Sequence, residues 1–174
     1  MKRLAFLLAA VVVFMPACDD DDPVNPSPLL PLRFTADLRA SNEVPPVTNA
    51  DSSATGVMNL TINVTRDSAS AITGVTSSEF VVTMTGFPAN TVLTGAHIHP
   101  GAAGATGGIA VNTGLGNGEI TLGNGSGSFT KSALPPITIE RAQNLANTPQ
   151  NFYFNVHTQL NTGGAIRAQL VRIQ

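Results

Sequence analysis

Three histidines, His97, His99 and His157, are the residues of this chain whose type and spacing point to chemistry. In Ala96-His97-Ile98-His99-Pro100-Gly101 the imidazoles stand two apart, so on a strand both leave one face while Ile98 enters the core. His157 ends a second alternating run, from Phe152, in which Tyr153, Asn155 and His157 share the outward face. Three imidazoles from two strands suit a copper or zinc ion, and without thiolates beside them the expectation is an open, solvent-facing mononuclear site. The same side chains serve equally to bond loop carbonyls and fasten a glycine-rich crossing. The sequence leaves both roles open.

Other catalytic arrangements find little support. No Gly-x-Ser-x-Gly elbow is present, and the acids of the folded region, Asp37, Glu43, Asp51, Asp67, Glu79, Glu119 and Glu140, are dispersed without a spacing that makes two converge. Gly101 to Gly118 holds seven glycines, yet no Gly-Lys-Ser/Thr ends it and no helix follows, so it reads as a long loop across one end of the fold rather than a phosphate cradle. Nine Lys plus Arg against eleven Asp plus Glu give a net charge of −2 with the basic residues scattered, which excludes a nucleic-acid surface.

The elements that must position these residues are strands. Charged residues make up 11% of the 174, and Thr and Asn take their place as polar surface. Met58, Leu60, Ile62 and Val64 alternate with Asn59, Thr61, Asn63 and Thr65, and the same period of two recurs in Phe34-Ala36-Leu38, Phe80-Val82-Met84, Phe152-Phe154-Val156 and Ile166-Ala168-Leu170. Gly123-Asn124-Gly125-Ser126 predicts a tight hairpin between Ile120–Leu122 and Phe129, and only residues 139–147 read as helix. The fold class is all-β, an antiparallel β-sandwich or Greek-key barrel.

The single cysteine, Cys18, excludes internal disulfides, iron–sulfur clusters and two-cysteine redox motifs. Lys2 and Arg3 precede twelve apolar residues, Leu4 to Met15, too few to span a bilayer that needs about 20, and Met15-Pro16-Ala17-Cys18 resembles a bacterial lipobox. Residues 1–17 are therefore expected to be a lipoprotein signal peptide and Cys18 the acylated N-terminus. Asp19 to Asp22 and Pro23, Pro26, Pro28 and Pro31 make residues 18–33 an extended tether, able to hold the domain up to about 45 Å from the membrane. A calcium role for the aspartates is not favoured, because they lack an Asp-x-Asp register and a glycine turn.

Six ordered blocks carry a resemblance to a known family. Phe34 to Leu38, Asn42-Glu43-Val44-Pro45-Pro46, Ala54-Thr55-Gly56, Ala96 to Gly101, Tyr153-Phe154-Asn155-Val156-His157-Thr158 and Gly164-Ala165-Ile166-Arg167-Ala168-Gln169-Leu170 resemble the CHRD domain, over residues 34–174. The resemblance implies an extracytoplasmic domain of unassigned activity in bacteria, related to repeats in chordin, which binds growth factors. The last block departs from the usual Gly-Glu-Ile-Arg-Gly-Gln: Ala165 and Ala168 replace the acid and the second glycine. Glu43 and Arg167 lie in blocks otherwise apolar or amide, so they are expected to form a structural ion pair. The His-x-His pair is also similar to copper–zinc superoxide dismutase, a Greek-key barrel, but three histidines cannot assemble its bimetallic centre.

Two classes of function remain. The sequence favours a non-catalytic binding or structural module for an unknown extracytoplasmic protein or small ligand, held by lipid on the periplasmic or cell-surface side of a membrane. The other is a copper- or zinc-binding protein using His97, His99 and His157, redox-active if copper is bound. The anchor is directly testable: C18S should move the protein from the membrane fraction to the soluble one, whereas unchanged fractionation would exclude lipid attachment at this residue.

Overall fold

The structure, a computed structural model, describes residues 30–174; the signal segment, Cys18 and the Asp/Pro run to residue 29 lie outside the described residues. The strands are β1 (Leu32–Arg39), β2 (Thr55–Arg66), β3 (Ile72–Thr85), β4 (Thr91–Pro100), β5 (Val111–Asn112), β6 (Thr121–Leu122), β7 (Gly127–Lys131), β8 (Phe152–Thr158), β9 (Ile166–Gln169) and β10 (Val171–Arg172). One helix, α1 (Ile139–Asn147), stands between β7 and β8. β1 opens at a fully buried Leu32, so Leu32 and Arg33 belong to the folded domain and not to the tether expected to run to residue 33.

All pairings are antiparallel, in the order β5-β4-β8-β9-β1-β2-β3-β7, with β10 added to β1 and β6 to β4. Phe80 of β3 and Phe154 of β8 stack with ring centroids 5.9 Å apart, although β9, β1 and β2 lie between their strands in the sheet. A flat sheet would separate them by about 19 Å, given about 4.8 Å per strand. The sheet therefore curls until its two halves face one another across a single core. The alternating apolar residues of β1, β2, β3, β8 and β9 all meet in that core. The expected all-β class is what the chain adopts.

At the open side of the curl, the Leu134 N–H donates to the Asn112 carbonyl at 2.9 Å and ties the chain after β7 to β5 at the opposite edge. Helix α1 has the predicted bounds: the Thr138 hydroxyl accepts from the Arg141 N–H at its start, and Ala142 and Leu145 are buried.

Two connections differ from the sequence expectation. The Gly123–Ser126 turn forms, with the Gly125 N–H bonded to the Leu122 carbonyl, but β6 pairs with β4 and β7 pairs with β3. Instead of closing a hairpin, this turn passes the chain from one half of the sheet to the other. The physical reason is that the Phe87 N–H donates to the Gly125 carbonyl and pins the turn to the corner between β3 and β4. The glycine-rich stretch from Gly101 does cross one end of the fold, yet it also folds back over the outer face of β4, β8 and β9, so every residue of β8 is buried.

Inward and outward positions on β2 should separate cleanly by unfolding free energy. L60A or I62A should cost about 2–5 kcal/mol, since both residues are fully buried. T61A or N63A, on the polar face, should cost under about 1 kcal/mol in denaturant titration, and equal costs on both faces would contradict the register.

Candidate metal centre

β4 and β8 run side by side with Gly95, His97 and His99 opposite His157, Asn155 and Tyr153. This register puts all three histidines on one face, as their spacing predicts, with Ile98 fully buried in the core behind them. One ligand nitrogen from each of His97, His99 and His157 lies within 4.8 Å of the others. A register shift in the β4–β8 ladder between Leu93 and Gly95 precedes the cluster. The His97 ring lies over Gly95, where a Cβ would come within 3.0 Å of its Cε1.

The face is outward but not open. His99 is buried against the glycine-rich loop and His157 against the loop that carries Thr162, and only His97 is half-buried, which corrects the expectation of a solvent-facing site. The cause at His99 is the glycine-rich loop's own polar anchoring. The Arg167 guanidinium donates to the carbonyls of Ala105 at 2.7 Å and Ala102 at 3.3 Å, and Gln169 Nε2 donates to the Gly101 carbonyl at 2.9 Å.

Hydrogen bonds select the tautomers. His99 Nδ1 donates to the Gly107 carbonyl at 3.0 Å and His157 Nδ1 donates to the Thr162 carbonyl at 2.9 Å, so both rings carry their lone pair on Nε2. His157 Nε2 accepts from His97 Nδ1 at 3.0 Å. His99 Nε2 is buried and has no hydrogen-bond partner. A backbone carbonyl behind His99 and His157, with the Nε2 of each turned away from it, is the orientation that metal-binding histidines adopt, while His97 is held by His157 alone.

Burial also keeps the rings neutral. It lowers His97 from 6.5 to about 4, with the neighbouring His157 and His99 adding to the shift. Burial likewise lowers His99, against its carbonyl bonds to Gly107 and Gly108 and its Asn155 neighbour, and lowers His157 against its bond to Thr162.

Glu43 and Arg167 are both buried, at 6% and 2% exposure, but they do not form the expected ion pair. Among the described residues the ion pair within 4 Å is Lys131–Glu119. Arg167 spends its donors on the loop carbonyls and lays its guanidinium over the Tyr153 ring, 3.4 Å from the centroid, while His99 stacks on Tyr153 from the β4 side at 5.0 Å. Arg167 thus acts on Glu43 only through its charge. Burial pushes the Glu43 carboxyl up to about 7 despite that charge, the Asn155 side chain and the Val44 N–H, all of which favour ionisation. A cavity of about 440 Å³ borders Glu43, Arg167 and Gln169.

Two contributors were not singled out from the sequence. Asp51 is buried and accepts from the Thr158 hydroxyl at 2.7 Å and from Asn161 Nδ2 at 2.6 Å, which fixes the loop whose Thr162 carbonyl orients His157. Nothing local distinguishes Asp51 from a surface acid. Asn155 is the cross-strand neighbour of His97, and the alternation of β8 already set it on the histidine face. Ala165, where the resembling block carries an acid, is fully buried and bonded through its N–H to the Val156 carbonyl.

The family model described as the CHRD domain matches residues 34–170 of the chain. No curated protein and no solved structure matches it.

The shifts make opposite demands on stability. Folded imidazoles below 6.5 leave the unfolded chain to bind protons first, so their contribution is full above 6.5 and is lost as pH falls toward about 4. Glu43, raised from 4.5 to about 7, contributes fully below 4.5 and loses that contribution as pH rises through 7. E43Q removes the opposing part. The melting temperature of the metal-free E43Q protein should fall more steeply between pH 7 and pH 5 than that of the wild type, and parallel profiles would show that Glu43 titrates as an exposed carboxyl.

Proposed function

This chain belongs to the CHRD domain family, and we propose that its domain holds a single copper or zinc ion between β4 and β8 through His97, His99 and His157. The observation that carries this reading is His99 Nε2, a buried lone pair without a donor, within reach of two further imidazoles. Leaving such a group unpaired costs about 1–3 kcal/mol, and a cation in the shared space removes that cost. Nitrogens on a tetrahedral zinc, at about 2.0–2.1 Å from the ion, stand about 3.4 Å apart, so the three rings close on an ion with shifts of about an ångström. The absence of thiolates and the two carbonyl-oriented imidazoles suit copper and zinc alike.

In the same proposal the domain is carried at the membrane by an acylated Cys18 and the Asp/Pro tether, on the extracytoplasmic side. The features that support it are the charged start, the short apolar run and the lipobox-like tetrad. A metal that joins β4 to β8 also joins both to the glycine-rich loop, because His99 holds Gly107. The ion would then shape the loop surface that a partner or small ligand meets, which unites the metal reading with that of a non-catalytic binding module.

A second reading keeps the histidines as fasteners alone, and the bonds that His97, His99 and His157 already make through Nδ1 favour it. Calorimetry separates the two. Zinc or copper at pH 7 should bind at one equivalent per chain and raise the melting temperature, by an amount equivalent to about 2.7 kcal/mol at a hundredfold excess over Kd. The triple variant H97A/H99A/H157A should show neither effect. No heat and no shift with either metal would leave the fastener reading standing.

A further inference from the structure

Three buried side-chain atoms among the described residues lack a hydrogen-bond partner: His99 Nε2, Asn155 Oδ1 and Glu43 Oε1. They are neighbours. The Asn155 side chain lies beside His99 on one side and Glu43 on the other. Its Nδ2 and Glu43 Oε1 both press on the Gly164 backbone, where a Cβ would come within 2.6 Å and 2.4 Å of them; Gly164 has φ +139°, so glycine is required there on both counts.

With Nδ2 held toward Glu43, Asn155 Oδ1 is left on the histidine side of the amide. It is an acceptor, and His99 Nε2, with its proton on Nδ1, is another. Two buried acceptors turned toward one another need a donor or a cation between them. The Arg167 guanidinium is taken up by Tyr153 and the loop carbonyls. Asn155 is also the residue best placed by register, directly opposite His97 and two before His157 on the same face.

We infer that Asn155 Oδ1 is the fourth ligand of the metal centre, which makes the site a closed set of three imidazoles and one amide oxygen. The inference rests on the metal reading above and changes its character. A protein oxygen in the fourth position leaves none for water, so the ion holds β4, β8 and the overlying loop together instead of activating a water molecule. Glu43 acts as a positioning residue, since it faces the amide nitrogen and sets which end of Asn155 turns to the histidines.

The full-length chain, loaded separately with zinc and with cobalt(II) as a coloured stand-in for it, tests this through affinity and visible absorption. The wild type should give the strong bands of four-coordinate cobalt. N155A should bind zinc at least about tenfold more weakly, since even outer-shell losses cost about 10–100-fold, and its cobalt bands should shift and become pH-dependent as water takes the fourth position. N155D should retain binding, with the bands shifted by the carboxylate oxygen. An N155A protein with unchanged affinity and spectrum would overturn the assignment of Asn155 while leaving a three-histidine site in place. Absence of metal binding in the wild type would instead overturn the metal reading and this inference with it. Should N155A fail to fold, N155D decides: cobalt bands identical to those of the wild type would overturn the assignment.

Discussion

Burial of both faces of β8 is the constraint on which the rest of the site depends, because each polar group on its outer face must find a partner inside the protein. Its inner residues, Phe152, Phe154 and Val156, join the hydrophobic core. Its outer residues, Tyr153, Asn155 and His157, meet a layer of loop backbone that carries its own unpaired carbonyls. Imidazole N–H and guanidinium groups satisfy those carbonyls, and the residue types on this face follow from that demand. Aliphatic side chains in their place would leave the carbonyls of Ala105, Gly107 and Thr162 without these donors.

The same burial explains why a charged arginine sits among histidines that stay neutral. Arg167 meets its charge with two carbonyls, the amide of Gln169 and the Tyr153 ring. Desolvation is the larger part of the push on each imidazole, and at His99 the Arg167 charge adds to it. The histidines therefore give up the proton, and in doing so become acceptors on the one nitrogen that the loops leave unbonded. Burial that excludes protons and the lone pairs that the proposed metal site would use have one cause here.

The fold class, the inward residues of five strands, the bounds of α1 and the common face of the three histidines were legible because each depends on period or capping within one segment. What covers that face was not legible. Alternation states which residues point away from the core, and it is silent on whether water or another stretch of chain meets them. The Gly123–Ser126 turn misleads for a related reason: its residues specify a reversal, while the partners of the flanking strands are set by contacts of Phe87 and β4 far along the chain. Glu43 and Arg167 are both buried. Their partners were misassigned because loop carbonyls and an aromatic face, which no sequence pattern announces, compete with a carboxylate for the guanidinium.

The division of labour between strands and loops follows. The β4–β8 register alone brings three imidazoles together, and a strand ladder is rigid enough to hold their Cα positions. It does not choose which nitrogen of each ring faces inward. For His99 and His157 that choice belongs to Gly107 and Thr162, which lie on separate loops, and each loop is fixed from beneath by one buried ionisable side chain: Arg167 through Ala102 and Ala105, Asp51 through Thr158 and Asn161. Arg167 and Asp51 touch none of the imidazole nitrogens, yet they fix the carbonyls that set where the lone pairs of His99 and His157 point. The orientation of two of the three imidazoles is thus set from outside the cluster, by the residues that fasten the loops beneath them.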